Sequence, residues 1–323
     1  MSTQETLLQV RVRAVTWEAD GILGFELVPM PPLKELPPFT AGAHVDLHLP
    51  NGLLRSYSLL NAPGERHRYL IGVNKDAKSR GGSRYMHEVL RSGETLTIGA
   101  PRNNFPLDER SPMNVFIAGG IGITPIMSMI ARSRELGTPW RLHYAARSRR
   151  NAAFLEALQG HGVQPDVELR FNFDQESGGQ VLDIAAIVKS LPEGAHLYCC
   201  GPVPMLEAYE QATAALPPER VHMEYFAAKE APATDGGFTV ELARSGRQVE
   251  VRAGQTILDS LLAIGIEPPF SCQEGICGTC EVRVLEGTPD HRDLVLSSAE
   301  QAANDRMMIC CSGCKTAKLV LDL

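Results

Sequence analysis

The chain reads Cys272-Gln273-Glu274-Gly275-Ile276-Cys277-Gly278-Thr279-Cys280 near its C-terminal end, and Cys310 follows after an alternating segment. Thiolates at C-x4-C-x2-C spacing, with a fourth cysteine further on, are the ligand pattern of a 2Fe–2S cluster. Gly275 and Gly278 suit a loop that wraps an inorganic core, because glycine allows close backbone approach. Disulfides and a zinc site are the alternatives, but zinc sites usually pair two C-x2-C segments and this stretch has one. The pattern therefore predicts a centre that moves one electron at a time.

Three cysteines compete for the fourth ligand position: Cys310, Cys311 and Cys314. Adjacent residues of an extended strand point to opposite faces, so Cys310 and Cys311 cannot both reach one iron. Cys310 directly ends the apolar segment 307–309. Cys310 is therefore the favoured ligand, and Cys311 and Cys314 are predicted to be core or incidental residues.

The bulk composition is that of a globular protein with two or three domains. The 323 residues are 44% hydrophobic and 21% charged, and the net charge of −7 gives no support to a nucleic-acid partner. No apolar run approaches the roughly 20 residues needed to span a bilayer, and the N-terminus lacks a signal-peptide pattern. Eight cysteines without a targeting segment indicate thiolate ligands in a reducing compartment. We therefore expect a cytoplasmic protein with no membrane partner.

Regions of different periodicity follow one another along the chain. Residues 1–107 alternate like the short strands of a β-barrel. Residues 108–228 alternate strand and helix patterns, which predicts a parallel sheet with helices on both faces, one of them near residues 151–158. Residues 229–236 have the composition of a linker. Residues 237–323 contain a predicted hairpin, a helix, the cysteine stretch and a closing strand.

Two short motifs in the first region have the character of a cofactor site. Arg55-Ser56-Tyr57-Ser58 ends a predicted strand, and Arg80-Gly81-Gly82-Ser83 opens a predicted helix. An arginine, a serine hydroxyl and the free N–H groups of a helix N-terminus together suit a phosphate group. Either tetrapeptide alone would be typical of a structural turn. Together they match the R-x-Y-S and G-G-S elements of ferredoxin-reductase-type flavin domains.

A glycine-rich turn, Gly119-Gly120-Ile121-Gly122-Ile123-Thr124-Pro125, follows the first strand of the α/β region. It begins like G-x-G-x-x-G, but Pro125 occupies the third glycine position, so an ordinary Rossmann site is not expected. Proline is tolerated in the first turn of a helix, so the strand–turn–helix geometry survives. The string G-G-x-G-x-T-P is instead typical of the nicotinamide domain of ferredoxin reductases.

Cys199-Cys200-Gly201-Pro202 supplies a second half for this site. It ends a later strand and precedes a helix, at the sheet edge where open α/β folds bind ligands. Cys200 is predicted to lie at the nicotinamide, with an inert buried thiol as the alternative. Cys199 points to the other side of the strand and is predicted to lie in the core.

Two residues bear on the choice of coenzyme. No acidic residue ends the second strand of the α/β region, where a Rossmann domain would bind the ribose. Arg147 stands there and suits a 2′-phosphate, whereas Asp174, at the end of the next strand, suits ribose hydroxyls. The two alternatives correspond to NADPH and NADH.

The predicted parts follow one another as a flavin barrel, a nicotinamide domain, a linker and a ferredoxin. With this order of parts the chain resembles the phthalate dioxygenase reductase and vanillate demethylase reductase family. The resemblance covers essentially the whole length and includes residues 101–107 and Asp290-His291-Arg292-Asp293. It implies a flavin-binding β-barrel, a parallel α/β nicotinamide domain of ferredoxin-reductase type and a C-terminal β-grasp ferredoxin of plant type. One departure is Ser56, where relatives often carry Thr.

The resemblance also implies individual residue roles. The residues expected at FMN are Arg55, Ser56, Tyr57, Ser58, Val73, Asn74, Lys75, Arg80, Gly81, Gly82, Ser83, Thr124 and Phe226. The residues expected at NADH are Gly119, Gly120, Gly122, Thr124, Pro125, Arg147, Asp174, Cys200, Gly201, Pro202 and Met205. The expected cluster ligands are Cys272, Cys277, Cys280 and Cys310. The residues expected to act in catalysis are Ser58, Cys200 and Phe226.

The activity implied is that of an NADH-dependent oxidoreductase in aromatic catabolism. Hydride would pass from NADH to FMN, and single electrons would pass through the 2Fe–2S cluster to a Rieske-type oxygenase. Two alternatives remain: a flavin and iron–sulfur reductase serving another acceptor, and a redox sensor without turnover. NADH-dependent reduction of ferricyanide or cytochrome c separates the sensor from the two enzymes.

Overall fold

The structure of the protein, a computed structural model, describes residues 6–50, 52–77, 81–160, 167–176 and 178–323. The chain divides into two compact units, Met1–Phe226 and Ala227–Leu323. The domain boundary predicted at residues 107 and 108 lies inside the first unit and stays a prediction. Within the ranges just given, no helix combines the length and the apolar character that a membrane span requires.

Six antiparallel strands with apolar inward faces begin the first unit. The elements are β1 (Leu7–Ala19), β2 (Ile22–Pro29), β3 (His44–His48), β4 (Leu54–Ser58), β5 (Tyr69–Asn74), α1 (Gly82–Glu88) and β6 (Thr95–Gly99). Every second residue from Leu8 to Val12 is buried, as a strand with one core face requires. The strand order is β4-β3-β6-β1-β2-β5, and a bridge between Leu59 and Ile71 joins the outer strands into a barrel.

A parallel five-stranded sheet with intervening helices completes the first unit. Its elements are β7 (Asn114–Gly119), α2 (Ile123–Leu136), β8 (Trp140–Ala146), α3 (Leu155–Gln159), β9 (Val167–Phe173), α4 (Ile184–Lys189), β10 (His196–Cys200), α5 (Val203–Thr213) and β11 (Val221–Glu224). The order is β11-β10-β7-β8-β9, and all neighbouring strands are parallel. β7 is buried along its whole length, as a central strand covered on both faces must be. The strands therefore end at one shared edge.

The helix predicted near residues 151–158 is shorter than expected. Residues Arg149–Asn151 form a 3-10 turn, and α3 begins only at Leu155. Phe154, just before it, has φ 62 and ψ 19, a left-handed conformation that cannot belong to a right-handed helix. A hydrogen bond from the N–H of the preceding Ala153 to the hydroxyl of Tyr144, 3.0 Å long, helps to hold the residue there.

The second unit is a mixed sheet crossed by a short helix, the predicted ferredoxin arrangement. Its elements are β12 (Phe238–Leu242), β13 (Arg247–Val251), α6 (Ile257–Ala263), β14 (Glu281–Glu286), β15 (Pro289–Asp290), α7 (Ser298–Ala303), β16 (Arg306–Met308), β17 (Gly313–Cys314) and β18 (Lys318–Leu321). The main sheet has the order β13-β12-β18-β14-β16, and β15 pairs with β17. Thr256 and Asp259 cap α6 reciprocally, which stabilises the helix that precedes the cysteine loop.

Candidate functional site

Arg55 and the start of α1 lie against each other in the barrel. A Cβ on Gly82 would lie 2.7 Å from Nε of Arg55, so the arginine packs directly over the glycine. Gly81 precedes the helix with φ 107, a conformation that side-chain-bearing residues rarely adopt. The two motifs predicted to bind the FMN phosphate thus meet in space. Arg80, from the second motif, lies outside the described residues.

The residues of β4 divide between two faces. Arg55 and Tyr57 share one face, and Ser56 and Ser58 share the other. Burial raises the pKa of Tyr57 to about 12, so its phenol stays neutral. Ser56 Oγ donates to Oδ1 of Asp46 at 2.5 Å, which ties β4 to β3. A contact of Ser56 with FMN would therefore come from its backbone, while the buried Ser58 ends the strand.

The end of β5 and the residues directly after it are attached to α1 by three contacts. A ring nitrogen of His87 lies 2.9 Å from the carbonyl oxygen of Val73, and Nζ of Lys75 lies 2.9 Å from Oε1 of Glu88. Ser83 Oγ accepts a hydrogen bond from the N–H of Asp76 at 3.2 Å. The predicted FMN segments 73–75 and 81–83 are therefore neighbours, with Val73 buried and residues 74 and 75 exposed.

The turn after β7 packs directly against the turn after β10. A Cβ on Gly119 would lie 2.6 Å from Cδ of Pro202, and one on Gly201 would lie 2.7 Å from Sδ of Met205. The approach of Pro202 is closer than a side chain at residue 119 allows, which explains glycine at that position. The two predicted halves of the nicotinamide site thus form one edge.

Cys200 lies at the centre of this edge and is fully buried. A Cβ on Gly122 would overlap its carbonyl oxygen. Burial, together with the charges of Glu224 and Cys199, raises the pKa of the Cys200 thiol well above its usual range, so it stays protonated. Cys199 is buried as well, as expected for the core.

Glu224 is a site residue that the sequence analysis missed. It ends β11 and pairs in register with Cys200 of β10. Its Oε2 atom is enclosed and has no hydrogen-bond partner among the described residues, and burial raises the pKa of the carboxyl to about 8. A buried carboxyl with a raised pKa in a ligand-binding edge is a functional candidate. Its position two residues before Phe226 was the available signal, but the strand register was not readable from the sequence.

Thr124 lies where the glycine turn meets the barrel. It is 2% exposed, and its Oγ1 donates to the carbonyl oxygen of Ile121 at 2.9 Å. Its methyl group lies against β5, because a Cβ on Gly72 would be 2.9 Å from Cγ2 of Thr124. Pro125 sits in the first turn of α2, as predicted, and Gly120 begins the preceding 3-10 turn with φ 53.

Phe226 is the last residue of the first unit. It is 36% exposed, and the preceding Tyr225 is buried and donates a hydrogen bond to Glu210 at 2.9 Å. The anchored tyrosine leaves the Phe226 ring accessible, which is compatible with the predicted cover over the flavin.

Arg147 and Asp174 occupy the same edge of the sheet. The N–H of Asp174 donates to the carbonyl oxygen of Ala146 at 3.0 Å, and the N–H of Gln175 donates to the carbonyl oxygen of Arg147 at 2.9 Å. Oδ1 of Asp174 accepts from the amide of Asn172 at 2.8 Å. The two residues expected to contact the ribose are therefore adjacent, and their positions do not discriminate between NADH and NADPH.

The cysteine loop of the second unit gathers the predicted cluster ligands. The Cys272 thiol interacts with the thiols of Cys277 and Cys310, and the N–H of Glu274 donates to Cys272 Sγ at 3.3 Å. Gly275 and Gly278 have φ values of 70 and 75. The predicted Cys280 is buried in the same unit.

Cys311 lies beside this group, because its thiol interacts with that of Cys310 and a Cβ on Gly275 would lie 2.5 Å from its Sγ, whereas Cys314 bonds to Thr316. Sγ of Cys311 lies 3.7 Å from the carbonyl oxygen of Met308, and Sγ of Cys314 donates to the carbonyl oxygen of Thr316 at 2.8 Å. Among the described residues no three His, Cys, Asp or Glu side chains converge as ligands of one metal ion. A 2Fe–2S cluster spreads four thiolates over two irons, so the donor set fits the larger group.

Two family models match the chain. A 2Fe-2S iron-sulfur cluster binding domain matches residues 240–315, and an oxidoreductase NAD-binding domain matches residues 116–211. Both matches fall on the parts of the chain that carry the cysteine loop and the glycine turn.

Whole-length relatives are similar in both sequence and structure. The chain is 58% identical to phenoxybenzoate dioxygenase subunit beta of Ectopseudomonas oleovorans, with 100% of each chain covered. The solved structure of phthalate dioxygenase reductase, described as modular for electron transfer from pyridine nucleotides to 2Fe-2S, is 36% identical, with a TM-score of 0.77 and 98% of each chain covered. An intact type IV self-sufficient cytochrome P450 monooxygenase gives a TM-score of 0.83 at 39% identity; the match covers 98% of this chain and 41% of that chain.

The fold, the two sites and these matches define an NAD-dependent flavin and iron–sulfur oxidoreductase. Its cofactors are FMN, NADH and a 2Fe–2S cluster. The chain belongs to the phthalate dioxygenase reductase family. The predictions of fold class, enzyme class and cofactors are confirmed, whereas the roles of individual residues stay predictions.

Proposed function

We propose that the chain is the NADH-dependent reductase component of an oxygenase system in aromatic catabolism, and that its acceptor is a Rieske-type oxygenase. Similarity to a dioxygenase subunit and to phthalate dioxygenase reductase supports the oxygenase acceptor. The observation that carries the proposal is a single chain with both a nicotinamide edge, built by residues 119–125 and 200–205, and a group of thiols in which Cys272 interacts with Cys277 and Cys310. Such a chain can take up hydride and release single electrons.

The barrel residues bind and orient the flavin. Arg55 and the N–H groups at the start of α1 bind the phosphate, and Tyr57 packs against the ring. Ser58 orients N5 through a hydrogen bond. When bound, the three cofactors supply hydride acceptance and one-electron transfer.

The α/β residues present the nicotinamide to the flavin. Residues 119–125 and 200–202 form its docking edge, where the neutral Cys200 and Glu224 place no net charge at pH 7. Thr124 reaches the flavin from this side, and Phe226 moves aside when the nicotinamide enters. In the second unit Cys272, Cys277, Cys280 and Cys310 ligate the cluster.

A variant of one proposed ligand tests the electron path. In reconstituted protein, Cys277→Ser should lose NADH-driven reduction of a purified Rieske oxygenase, because one-electron delivery needs the cluster. Ferricyanide reduction, which the flavin supports alone, should remain. Cys314→Ser is the matched control and should behave like wild type, since its thiol bonds to Thr316. Oxygenase reduction at an undiminished rate by the Cys277 variant would contradict the proposal.

The same assay tests the coenzyme. Asp174 favours ribose hydroxyls and therefore NADH, so kcat/KM should be higher with NADH than with NADPH. A preference for NADPH would assign the ribose contact to Arg147 instead.

A different acceptor is the second candidate. The fold of this chain forms part of a self-sufficient cytochrome P450 monooxygenase, so a haem acceptor is compatible with the same reductase architecture. Faster reduction of a P450 haem than of a Rieske centre would favour this candidate.

A cytoplasmic location is also part of the proposal. None of the eight cysteines, all of which lie within the described residues, forms a disulfide, as is usual in a reducing compartment.

A further inference from the structure

Phe154 has an unusual backbone conformation for a large aromatic residue. Its φ of 62 lies in the left-handed region, which Phe154 shares with Gln273 and Asn304 among the non-glycine residues described. Left-handed backbone is disfavoured for an L-residue with a side chain. Such strain persists where surrounding contacts over-determine it, and it concentrates at functional sites. The contacts of Phe154 therefore need an explanation.

The backbone around Phe154 is held on both sides. The N–H of Ala153 donates to the hydroxyl of Tyr144 at 3.0 Å, and Tyr144 is fully buried in β8. The carbonyl oxygen of Phe154 accepts from the N–H of Leu158 at 3.0 Å, which begins α3. The residue cannot relax to a right-handed conformation without breaking one of these bonds.

The strained backbone aims the Phe154 ring at the barrel. A Cβ on Gly72 would lie 3.0 Å from Cζ of Phe154 and 2.9 Å from Cγ2 of Thr124. The ring and the threonine methyl therefore both lie against the same glycine of β5. Phe154 is 8% exposed and belongs to a core shared by the barrel and the α/β region.

Gly72 and Thr124 belong to the two segments that bind different cofactors in the proposed function. Gly72 directly precedes residues 73–75, which are predicted at FMN, and Thr124 lies in the nicotinamide turn. The ring of Phe154 fills the place where these segments meet.

The segment before Phe154 is also fastened to the barrel. The N–H of Asp20 donates to the carbonyl oxygen of Arg150 at 2.8 Å, and the two side chains form an ion pair at 3.1 Å. The neighbouring Gly21 accepts from the N–H of Lys75 at 2.8 Å. The exposed ion pair contributes little, but the two backbone bonds connect residues 150–154 with the end of β5.

We propose that Phe154 is a positioning residue, which sets the separation of the flavin and nicotinamide segments through its contact with Gly72, the glycine that Thr124 also approaches. The inference rests on the proposed function, because it assumes hydride transfer between cofactors held by these segments. Hydride transfer needs reacting atoms about 3–3.5 Å apart, and a displacement of about 1 Å can cost up to about 100-fold in rate.

Phe154→Leu tests the proposal in the full-length, reconstituted protein. Leucine keeps an apolar side chain but cannot reach Gly72 with a flat ring. In anaerobic stopped-flow experiments the limiting rate of flavin reduction by NADH should fall about tenfold or more, while the Kd for NADH changes less than about threefold. The EPR spectrum of the dithionite-reduced cluster should not change.

Two further variants separate positioning from loss of stability. Phe39→Leu is the matched control: Phe39 is also 8% exposed, but it packs on Tyr69 inside the barrel, 5.6 Å between ring centroids. It should lower the melting temperature without slowing hydride transfer. Tyr144→Phe removes one hydroxyl and frees the backbone at Ala153, so it should slow hydride transfer in the same direction as Phe154→Leu. If Phe154→Leu does not fold, Tyr144→Phe still tests the positioning role of Phe154.

Different results would contradict the positioning role of Phe154 and the proposed function. Unchanged hydride transfer in both Phe154→Leu and Tyr144→Phe, or equal slowing in Phe39→Leu, overturns the positioning role. Wild-type flavin that NADH does not reduce at all overturns the proposed function instead.

Discussion

Glu224 illustrates at the residue scale how burial changes a side chain's chemistry. Its Oε2 atom has no hydrogen-bond partner in the part of the chain that the structure describes, and the residue pairs in register with Cys200 on the neighbouring parallel strand. Burial raises the pKa of Glu224 to about 8, so the folded protein keeps this carboxyl protonated at neutral pH. An unfolded chain releases the same proton near pH 4.5.

The first prediction follows from this difference. Between about pH 5 and pH 8 the folded state holds a proton that the unfolded state has lost, so the contribution of Glu224 to stability falls as pH rises. Glu224→Gln removes this dependence, and its unfolding free energy relative to wild type should rise by roughly 2–4 kcal/mol from pH 5 to pH 8. Urea unfolding followed by tryptophan fluorescence measures it, because Trp17 and Trp140 both lie in the first unit.

The comparison with wild type is essential in this measurement. Burial favours the neutral forms of His44 and His222 and lowers their pKa values to about 4. Their contributions to the stability of the folded protein therefore decrease as pH falls, which is opposite to the trend for Glu224. These contributions cancel in the difference. Glu207→Gln, the same substitution at an exposed position of α5, is the matched control. A flat difference for Glu224→Gln would show that the carboxyl is ionised in the folded protein.

At the scale of elements, the close packing of two turns forms the nicotinamide edge. The turn after β7 and the turn after β10 approach so closely that Gly122 faces the carbonyl oxygen of Cys200 without room for a side chain. Gly120, in the same turn, has φ 53 but open space around it. The two glycines thus serve different needs, packing in one case and backbone conformation in the other.

Gly122→Ala should disrupt the edge, whereas Gly120→Ala should not. The new methyl group at residue 122 forces the two turns apart, which should weaken NADH binding about tenfold or more and destabilise the unit by about 1–3 kcal/mol. The methyl group at residue 120 adds only left-handed strain of about 1–2 kcal/mol. Titration of the flavoprotein with NADH under anaerobic conditions, with thermal unfolding alongside, measures both effects. Equal losses of affinity in the two variants would show that backbone strain rather than packing governs the edge.

At the scale of the whole molecule, the cores determine which parts of the chain fold together. One core joins barrel residues such as Ile22 and Leu60 to α/β residues such as Phe116 and Tyr144. The core of the second unit draws only on residues from Phe238 onward. The barrel and the α/β region therefore depend on each other.

Truncations should follow these cores. A chain ending at residue 229 should bind FMN, oxidise NADH with ferricyanide and contain no iron, because both of its cores are intact. A chain ending at residue 107 should aggregate, since it exposes the apolar residues that pack on the α/β region. Size-exclusion chromatography and flavin content check both results. A monomeric, flavin-loaded product from the shorter chain would show that the barrel is an independent domain.

Much of the candidate site could be predicted from the sequence because its motifs are contiguous. The cysteine loop and the glycine turn each bring their residues together within a few positions, so spacing alone indicates the chemistry. The approach of Arg55 to Gly82 followed from matching two motifs at once. Glu224 and Phe154 were missed because neither belongs to a motif whose spacing carries information.

The sequence by itself determined the class of chemistry, since the ligand types and their local spacing specify a 2Fe–2S cluster and a nicotinamide turn. Only the tertiary structure decided which side chains from distant elements meet. The register of β10 and β11 places Glu224 beside Cys200, and packing between barrel and sheet holds Phe154 against Gly72. Both depend on contacts between segments far apart in the chain, whose energies no local pattern contains.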